Sequence, residues 1–385
     1  LLTSTCSIQV IKSEFKTACL KNADFMTQLK RNFLRRKMNK YLFIPALLLT
    51  FCVSGIFSAN AQTEIKNGGT KTPVNQTSAI EETVKLETLS GNLYGTLLLP
   101  KSKSKLSIVL IIAGSGPTDR DGNSPLLKGA NNSLKLLAEG LAANGIASLR
   151  YDKRGVGESG KEMLLAAQKA NKMPREEDLV FDAYIDDAVM WGQKLRADKR
   201  FSTLTIAGHS EGSLIGMVAA QKMKADAFIS IAGAGRPVGQ ILLEQLKAQM
   251  PPDLMKTSED ILRELSNGKT VETVPSALNI VFRRSVQPYM ISWLRYDPAK
   301  EIAKLTVPVM ITQGTTDIQA TAQDVKLLAA AKPSATVLMI DGMNHVLKVV
   351  PSDRDKQLAS YSDPALPVVP KLIDEISRFV NKAKQ

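Results

Sequence analysis

The sequence predicts an α/β protein: a mostly parallel, twisted sheet with helices on both faces and a helical cap inserted before the last two strands. Three observations carry this expectation. Short apolar runs at residues 106–113, 146–151, 204–207, 227–232, 307–313 and 335–340 recur along the chain, as strands buried on both faces do. Helical patterns at 132–143, 177–195, 324–331 and 371–382 alternate with them, and such alternation joins parallel strands through helical crossovers. After Gly233 the alternation stops for a mainly helical stretch broken by Pro251-Pro252, Asn267-Gly268, Pro275 and Pro288. This stretch, residues 236–300, is the expected cap over the carboxyl ends of the strands, where open α/β sheets bind ligands.

The N-terminal region stands apart from that core. Met38-Asn39-Lys40 opens a short basic segment, an apolar run follows at 41–57, and Ala59-Asn60-Ala61 has the form of a signal-peptidase site. Residues 38–61 are therefore expected to be a signal peptide cleaved after Ala61, sending the protein to the periplasm or outside the cell. Pro45, Ser54 and Gly55 interrupt a run already short for a span of about 20 residues, so no stable membrane anchor is expected. Cys52 follows Phe51, not a small residue, which argues against a lipid anchor. Residues 1–37 are expected to be a non-native upstream extension, with Met38 the initiator.

Removing these segments changes two properties of the whole. Cys6, Cys19 and Cys52 are the chain's three cysteines, so the mature protein would hold no disulfide and would depend on its core. Of the net charge of +13, seven leave with residues 1–61: eight Lys/Arg against two Asp/Glu in 1–37, plus Lys40. No basic block carries interleaved aromatics, and nucleic acid is not an expected partner. Residues 62–80 read as a polar, flexible leader, and 82–100 alternate as a β-hairpin around Ser90-Gly91-Asn92. The core is assigned to 81–235 and 301–385.

The chemistry centres on Gly208-His209-Ser210-Glu211-Gly212. A GxSxG pentapeptide is common by chance, but here an apolar strand precedes it and an Ala/Gly-rich helix follows, the setting of a nucleophile elbow. Ser210 is the candidate nucleophile. A serine hydroxyl needs a base, and the chain has two histidines; His209 adjoins the nucleophile on a sharp turn and would point elsewhere, leaving His345 as the base. Asp317, at the end of the preceding strand, is the candidate carboxylate, with Asp341 its rival. The oxyanion donors are expected to be the backbone N–H groups of Glu211, at a helix start, and of Ser115 in the loop after the 106–113 strand. The Glu211 side chain is expected to solvate the helix start, and Asp119 and Arg120 to lock their loop through ion pairing more than to touch substrate.

With Ser210, Asp317 and His345 in that order, residues 80–385 resemble an α/β-hydrolase. Residues 114–123 (GSGPTDRDGN), 150–159 (RYDKRGVGES), 314–317 (GTTD) and 342–345 (GMNH) narrow the resemblance to bacterial serine aminopeptidase-like and lysophospholipase-like hydrolases. The resemblance implies hydrolysis of a small carboxylic ester through an acyl-enzyme, without metal or organic cofactor. Ala113-Gly114 departs from the His-Gly of many relatives and leaves the oxyanion donor in that loop open.

An aminopeptidase or amidase is the alternative activity, and a non-catalytic binding protein the alternative class. Between Arg236 and Lys300 the cap carries nine Lys/Arg and seven Asp/Glu, with no acidic cluster of the kind that would bind a peptide's ammonium end. Leu242, Leu243, Met250, Leu254, Met255, Phe282, Met290 and Trp293 are candidates for an apolar acyl pocket, with the cap's own core as the competing use for most of them.

Overall fold

The computed structural model describes residues 79–88, 90–171, 175–247 and 250–383. The expected signal segment, the upstream extension and nearly all of the polar leader lie outside these residues. The first two strands, β1 (Ile80–Leu86) and β2 (Leu93–Leu99), form the expected hairpin. Ile80, assigned to the leader, already pairs with Leu99.

From there strands and helices alternate: β3 (Leu106–Ile112), α1 (Ser133–Ala143), β4 (Ala147–Tyr151), α2 (Gly157–Lys169), α3 (Phe181–Ala197), β5 (Phe201–His209), α4 (Glu211–Met223) and β6 (Ala227–Ile231). A helical insertion follows, with α5 (Val238–Lys247), α6 (Pro252–Ser266), α7 (Asn279–Phe282) and α8 (Gln287–Leu294), then α9 (Pro298–Ala303) leading back to the sheet. The chain closes with β7 (Val309–Gly314), α10 (Ala322–Ala331), β8 (Thr336–Ile340), α11 (Arg354–Ser360) and α12 (Pro370–Lys382).

The eight strands make one sheet in the order β1-β2-β4-β3-β5-β6-β7-β8. Strand β2 runs antiparallel to β1 and β4, and every other pairing is parallel. The order reverses beside β3, so the carboxyl ends of β3, β5, β7 and β8 open at one rim, the place such sheets use for ligands.

Period-two alternation divides the core into two layers. Ile108, Leu110 and Ile112 of β3 face Phe181, Ile185 and Trp191 of α3 together with Ile215 of α4. Val109, Ile111 and Ala113 face the other way, onto Leu134, Leu137 and Leu141 of α1 and Leu372, Ile376 and Val380 of α12. The four-residue spacing of those last three gives α12 a single apolar stripe.

The expectation for the insertion's apolar side chains is decided for packing. Leu242, Phe282 and Met290 are buried in the larger core cluster, and Leu243, Met250, Leu254, Met255 and Trp293 pack against it. Trp293 stacks on Phe181 of α3, with ring centroids 5.4 Å apart and planes 5° from parallel. Amphipathic helices in a small insertion have one apolar face each and use it on one another and on the core. Helix α2 was not expected, because Gly157 and Gly160 interrupt its pattern and only Ser159 in it is fully buried.

Candidate active site

Strand β5 delivers Ser210 at its carboxyl end. The residue sits at φ 56°, ψ −122°, a conformation that costs a non-glycine residue of order 1–3 kcal/mol and persists only where neighbours enforce it. They do so here: Ser210 N–H donates to the Ile231 carbonyl and its own carbonyl accepts from Ser213 N–H, each at 2.9 Å. A side chain on Gly208 would collide with the backbone of Gly212, and one on Gly212 with the carbonyl of Ile112. Both glycines of the pentapeptide are therefore required by close backbone approach.

The end of β8 leads into a loop held by Asn344. This fully buried side chain accepts from Lys348 N–H at 3.0 Å and donates through Nδ2 to Ser360 Oγ of α11 at 2.7 Å. His345 is thereby fixed, and its Nδ1 lies 2.8 Å from Asp317 Oδ2. Asp317 has no exposed side-chain surface. Its Oδ1 accepts from the backbone N–H of Gln319 and Ala320, and its Oδ2 also accepts from Gln313 Nε2. Burial works against the charged carboxyl, but the His345 charge and these hydrogen bonds outweigh it and hold Asp317 below the ordinary carboxylate value. The rival Asp341 accepts from Thr315 Oγ1 at 3.0 Å and closes the loop edge instead.

His209 is a neighbour of the pair and not a substitute for it. Its Nε2–H donates to the backbone carbonyl of His345 at 2.8 Å, and the two rings lie 4.9 Å apart. Burial, followed by repulsion from His345, pushes its pKa down to about 3, so the ring is neutral at ordinary pH.

A stability effect follows from that neutral ring. The unfolded chain binds a proton on His209 near pH 6.5, and the folded chain resists it down to about 3. Stability from this group is complete above pH 6.5 and falls as pH drops toward 3, by at most about 1.4 kcal/mol per pH unit. His209→Gln, which can still donate to the His345 carbonyl, should lose less stability between pH 7 and pH 4.5 than the wild type in urea unfolding. Equal losses would assign the acid sensitivity to other groups.

The loop after β3 meets the elbow at Gly114, where a side chain would come within 3.1 Å of Ser210 Cβ. The N–H of Glu211, first in α4, is one of the orphan donors of a helix start. The side chains behind these two backbones were missed in the sequence. Lys153 is 1% exposed; its ammonium donates to the Gly114 carbonyl and pairs with Glu211 Oε1 at 3.3 Å. The other Glu211 oxygen accepts from Tyr289 OH of α8 at 3.0 Å. Glu211 therefore does not solvate the helix start; it is the buried centre of a link from β4 through the elbow to the insertion.

Other charged residues of the 150–159 stretch tie it to the neighbouring loop and to α3. Asp152 accepts from Arg120 N–H at 2.8 Å, from its guanidinium at 2.7 Å and from Glu158 N–H at 2.8 Å. Arg154 makes a two-pronged contact with buried Asp187. Asp119 caps its own loop, accepting from Asp121 and Asn123 N–H. Asp119 and Arg120 thus both lock the loop, through different partners.

Ser210, His209, His345, Gly114 and Ser115 line one cleft. Its wall continues through Thr118, Ser124, Asn131, Ser133, Gln319 and Tyr361. Among the described residues, none of the insertion and no Asp or Glu lines this cleft. Among the described residues, no group of three or more His, Cys, Asp or Glu is placed to hold a metal ion.

Comparison with known proteins gives the chain its relatives. The family model described as Serine aminopeptidase, S33 matches residues 130–349. Esterase EstD of Thermotoga maritima is 27% identical over 298 residues, 77% of this chain, and the match spans 66% of that relative's length. Est1E from Butyrivibrio proteoclasticus, solved with ferulic acid bound, aligns at TM-score 0.49 and 16% identity, over 78% of this chain and 99% of its own. The Pyrococcus furiosus esterase Pf2001 aligns at TM-score 0.46 and 14% identity, over 83% and 99%. A family match covering more than half of the sequence, on a sheet of this order, makes the chain a member of the serine aminopeptidase S33 family of α/β hydrolases.

Proposed function

We propose that this protein is a serine hydrolase that cleaves carboxylic esters, with Ser210 as nucleophile, His345 as general base and Asp317 as the carboxylate that orients it. The observation carrying this reading is the 2.8 Å contact of His345 Nδ1 with buried Asp317, beside a cleft that His345 shares with Ser210. With Nδ1 so engaged, Nε2 is the nitrogen left to accept the serine proton. Ser210 Oγ adds to the ester carbonyl as His345 takes that proton. The oxyanion is held by the N–H groups of Glu211 and Ser115. Collapse expels the alcohol, protonated by the imidazolium, and leaves an acyl-serine. Water, deprotonated by His345, then releases the acid and restores the hydroxyl.

Ester over peptide is favoured by the cleft itself. An aminopeptidase must neutralise an ammonium group next to the scissile bond, and among the described residues no carboxylate lines the cleft. The name of the Thermotoga maritima relative, an esterase, points the same way.

A fluorophosphonate probe should label Ser210, and short-chain p-nitrophenyl esters should be hydrolysed at least about 100-fold faster than aminoacyl p-nitroanilides, a difference of about 2.7 kcal/mol in barrier. An unlabelled protein would remove the hydrolase reading, and a faster amide reaction would replace ester by peptide. Export rests on the basic, apolar and Ala-x-Ala pattern of residues 38–61. Mass spectrometry of the secreted or periplasmic protein should find Gln62 first, and retention of residues 38–61 would remove that part of the reading.

A further inference from the structure

We infer that Gln313, near the carboxyl end of β7, is a positioning residue for the triad: its amide holds Asp317 by the oxygen that faces His345 and limits how strongly that carboxylate draws a proton onto the imidazole. This rests on the assignment of Ser210, His345 and Asp317 above and adds to it a residue that acts through Asp317.

The side chain is placed for donation, not for packing. Val309, Met310 and Ile311 earlier in β7 are buried apolar residues, and Gln313 is buried as completely, at 0% exposed. Its Nε2 donates to Asp317 Oδ2 and to the Ala320 carbonyl, each at 2.8 Å. Its Oε1 has no hydrogen-bond partner among the described residues. A flipped amide would set that oxygen against a carboxylate and a carbonyl, so the two acceptors decide the orientation. An unmet buried acceptor costs stability, and an apolar side chain of the same length would fill the space without that cost. The two N–H bonds are what the glutamine supplies.

Asp317 Oδ2 is shared between Gln313 Nε2 and His345 Nδ1, both at 2.8 Å. Each donor to a carboxylate stabilises its charge. While His345 is neutral, Asp317 depends on its other donors; once His345 is protonated, the imidazolium supplies much of that stabilisation. Loss of the Gln313 donor therefore penalises the neutral imidazole state more than the charged one, and water cannot replace the donor because the Asp317 side chain has no exposed surface. A base that already carries a proton cannot take one from Ser210. Gln313 thus keeps His345 free to act at lower pH, and its bond to Ala320 closes the turn that presents Asp317.

The other titratable groups around the pair keep their charge through the acid limb. His209 of β5, with its ring 4.9 Å from His345, is held neutral. Tyr361, after α11, is pushed above an ordinary phenol by burial. Lys348, later in the His345 loop and facing the Leu366 carbonyl and Asp363, is pushed down by burial only to about 8. Lys153 and Glu211 at the elbow pair with each other.

The test follows p-nitrophenyl acetate hydrolysis by the full chain across pH in wild type, Gln313→Met and Gln313→Lys, with active sites counted by fluorophosphonate labelling. Gln313→Met, of similar length and without a donor, should move the acid limb of kcat/KM upward by about half a pH unit or more and lower kcat severalfold with KM little changed. Gln313→Lys, which donates to the same acceptors and adds a positive charge, should move the limb downward. Ring-proton NMR, readable in a chain with two histidines, should show the His345 titration moving in the same directions. Labelling counts folded sites alone, so partial unfolding of a variant lowers the amplitude and leaves the limb readable. A limb that stays in place in both variants, even with kcat or stability reduced, makes Gln313 a structural residue and overturns the inference while the triad stands. A wild type that is neither labelled nor active would overturn the triad reading and this inference together.

Discussion

Ser210→Ala should lower kcat for p-nitrophenyl acetate by about 10⁵–10⁶-fold, the scale on which removing the nucleophile of a serine triad acts. The fold should survive. Ser210 Oγ makes no hydrogen bond within the described residues, and alanine inherits the same backbone cost at φ 56° that serine already bears, so stability should stay within about 0.5 kcal/mol. What remains in the variant is instructive: a residual rate above that of water is expected because the oxyanion donors and the cleft are untouched. Rate measurements on protein free of wild-type carry-over, together with a urea midpoint, check both halves. A variant retaining a tenth of the wild-type rate would mean that the nucleophile lies elsewhere, whatever the shape of the elbow.

The inner strands of the sheet were legible in the sequence because they are buried on both faces. Runs such as 106–113 carry no polar residue inside the sheet except Ser107, which is itself 3% exposed, and a short apolar run between turn signals has few other uses. Two elements were not legible for the opposite reason. Helix α2 starts on glycines and buries only Ser159. Helix α11, seven residues long, is polar except for Leu358 and two small positions. Its importance is tertiary: Ser360 holds Asn344, and through it the loop that carries His345.

The same distinction separates the readable and unreadable parts of the site. Ser210 announces itself by local glycines, and His345 by the scarcity of histidine. Asp317 was preferred to Asp341 for its strand position; in the fold Asp317 contacts His345 Nδ1 and Asp341 contacts Thr315 Oγ1. Lys153, Glu211 and Tyr289 meet across separations of 58 and 78 residues, and nothing in the local sequence of any of them signals the other two. The cleft was sought among the insertion's hydrophobes because an apolar side chain reads alike in a pocket and in a core. Its walls come mainly from residues 114–133, where the sequence offered Ser115 as an oxyanion donor but gave no sign that the neighbouring Gly, Ser, Thr and Asn line a cleft.

Lys153→Met should be the most damaging change outside the proposed triad, and geometry says why. The Gly114–Ser115 peptide is trans, so its carbonyl and its N–H point in opposite directions. Lys153 holds the Gly114 carbonyl, which turns the Ser115 N–H away from the ammonium, as a donor into the cleft that Ser115 lines would require. The same ammonium pairs with Glu211, whose backbone N–H is the other proposed oxyanion donor. One buried cation thus fixes both backbones that must face the developing charge.

Without it the loop peptide is free to rotate, and kcat should fall by about 10²–10³-fold, the cost of one oxyanion donor, with KM changing little. Affinity for a trifluoromethyl ketone, which mimics the tetrahedral state, should fall in step. Glu211 would also be left as a buried charge with Tyr289 alone, at a stability cost of roughly 3–5 kcal/mol. The double variant Lys153→Met, Glu211→Gln separates these effects: removing the stranded charge should restore much of the stability, whereas kcat should stay low because the Gly114 carbonyl still has no donor. Full recovery of kcat in the double variant would reduce Lys153 to a counter-ion for Glu211 and take it out of the oxyanion site's support.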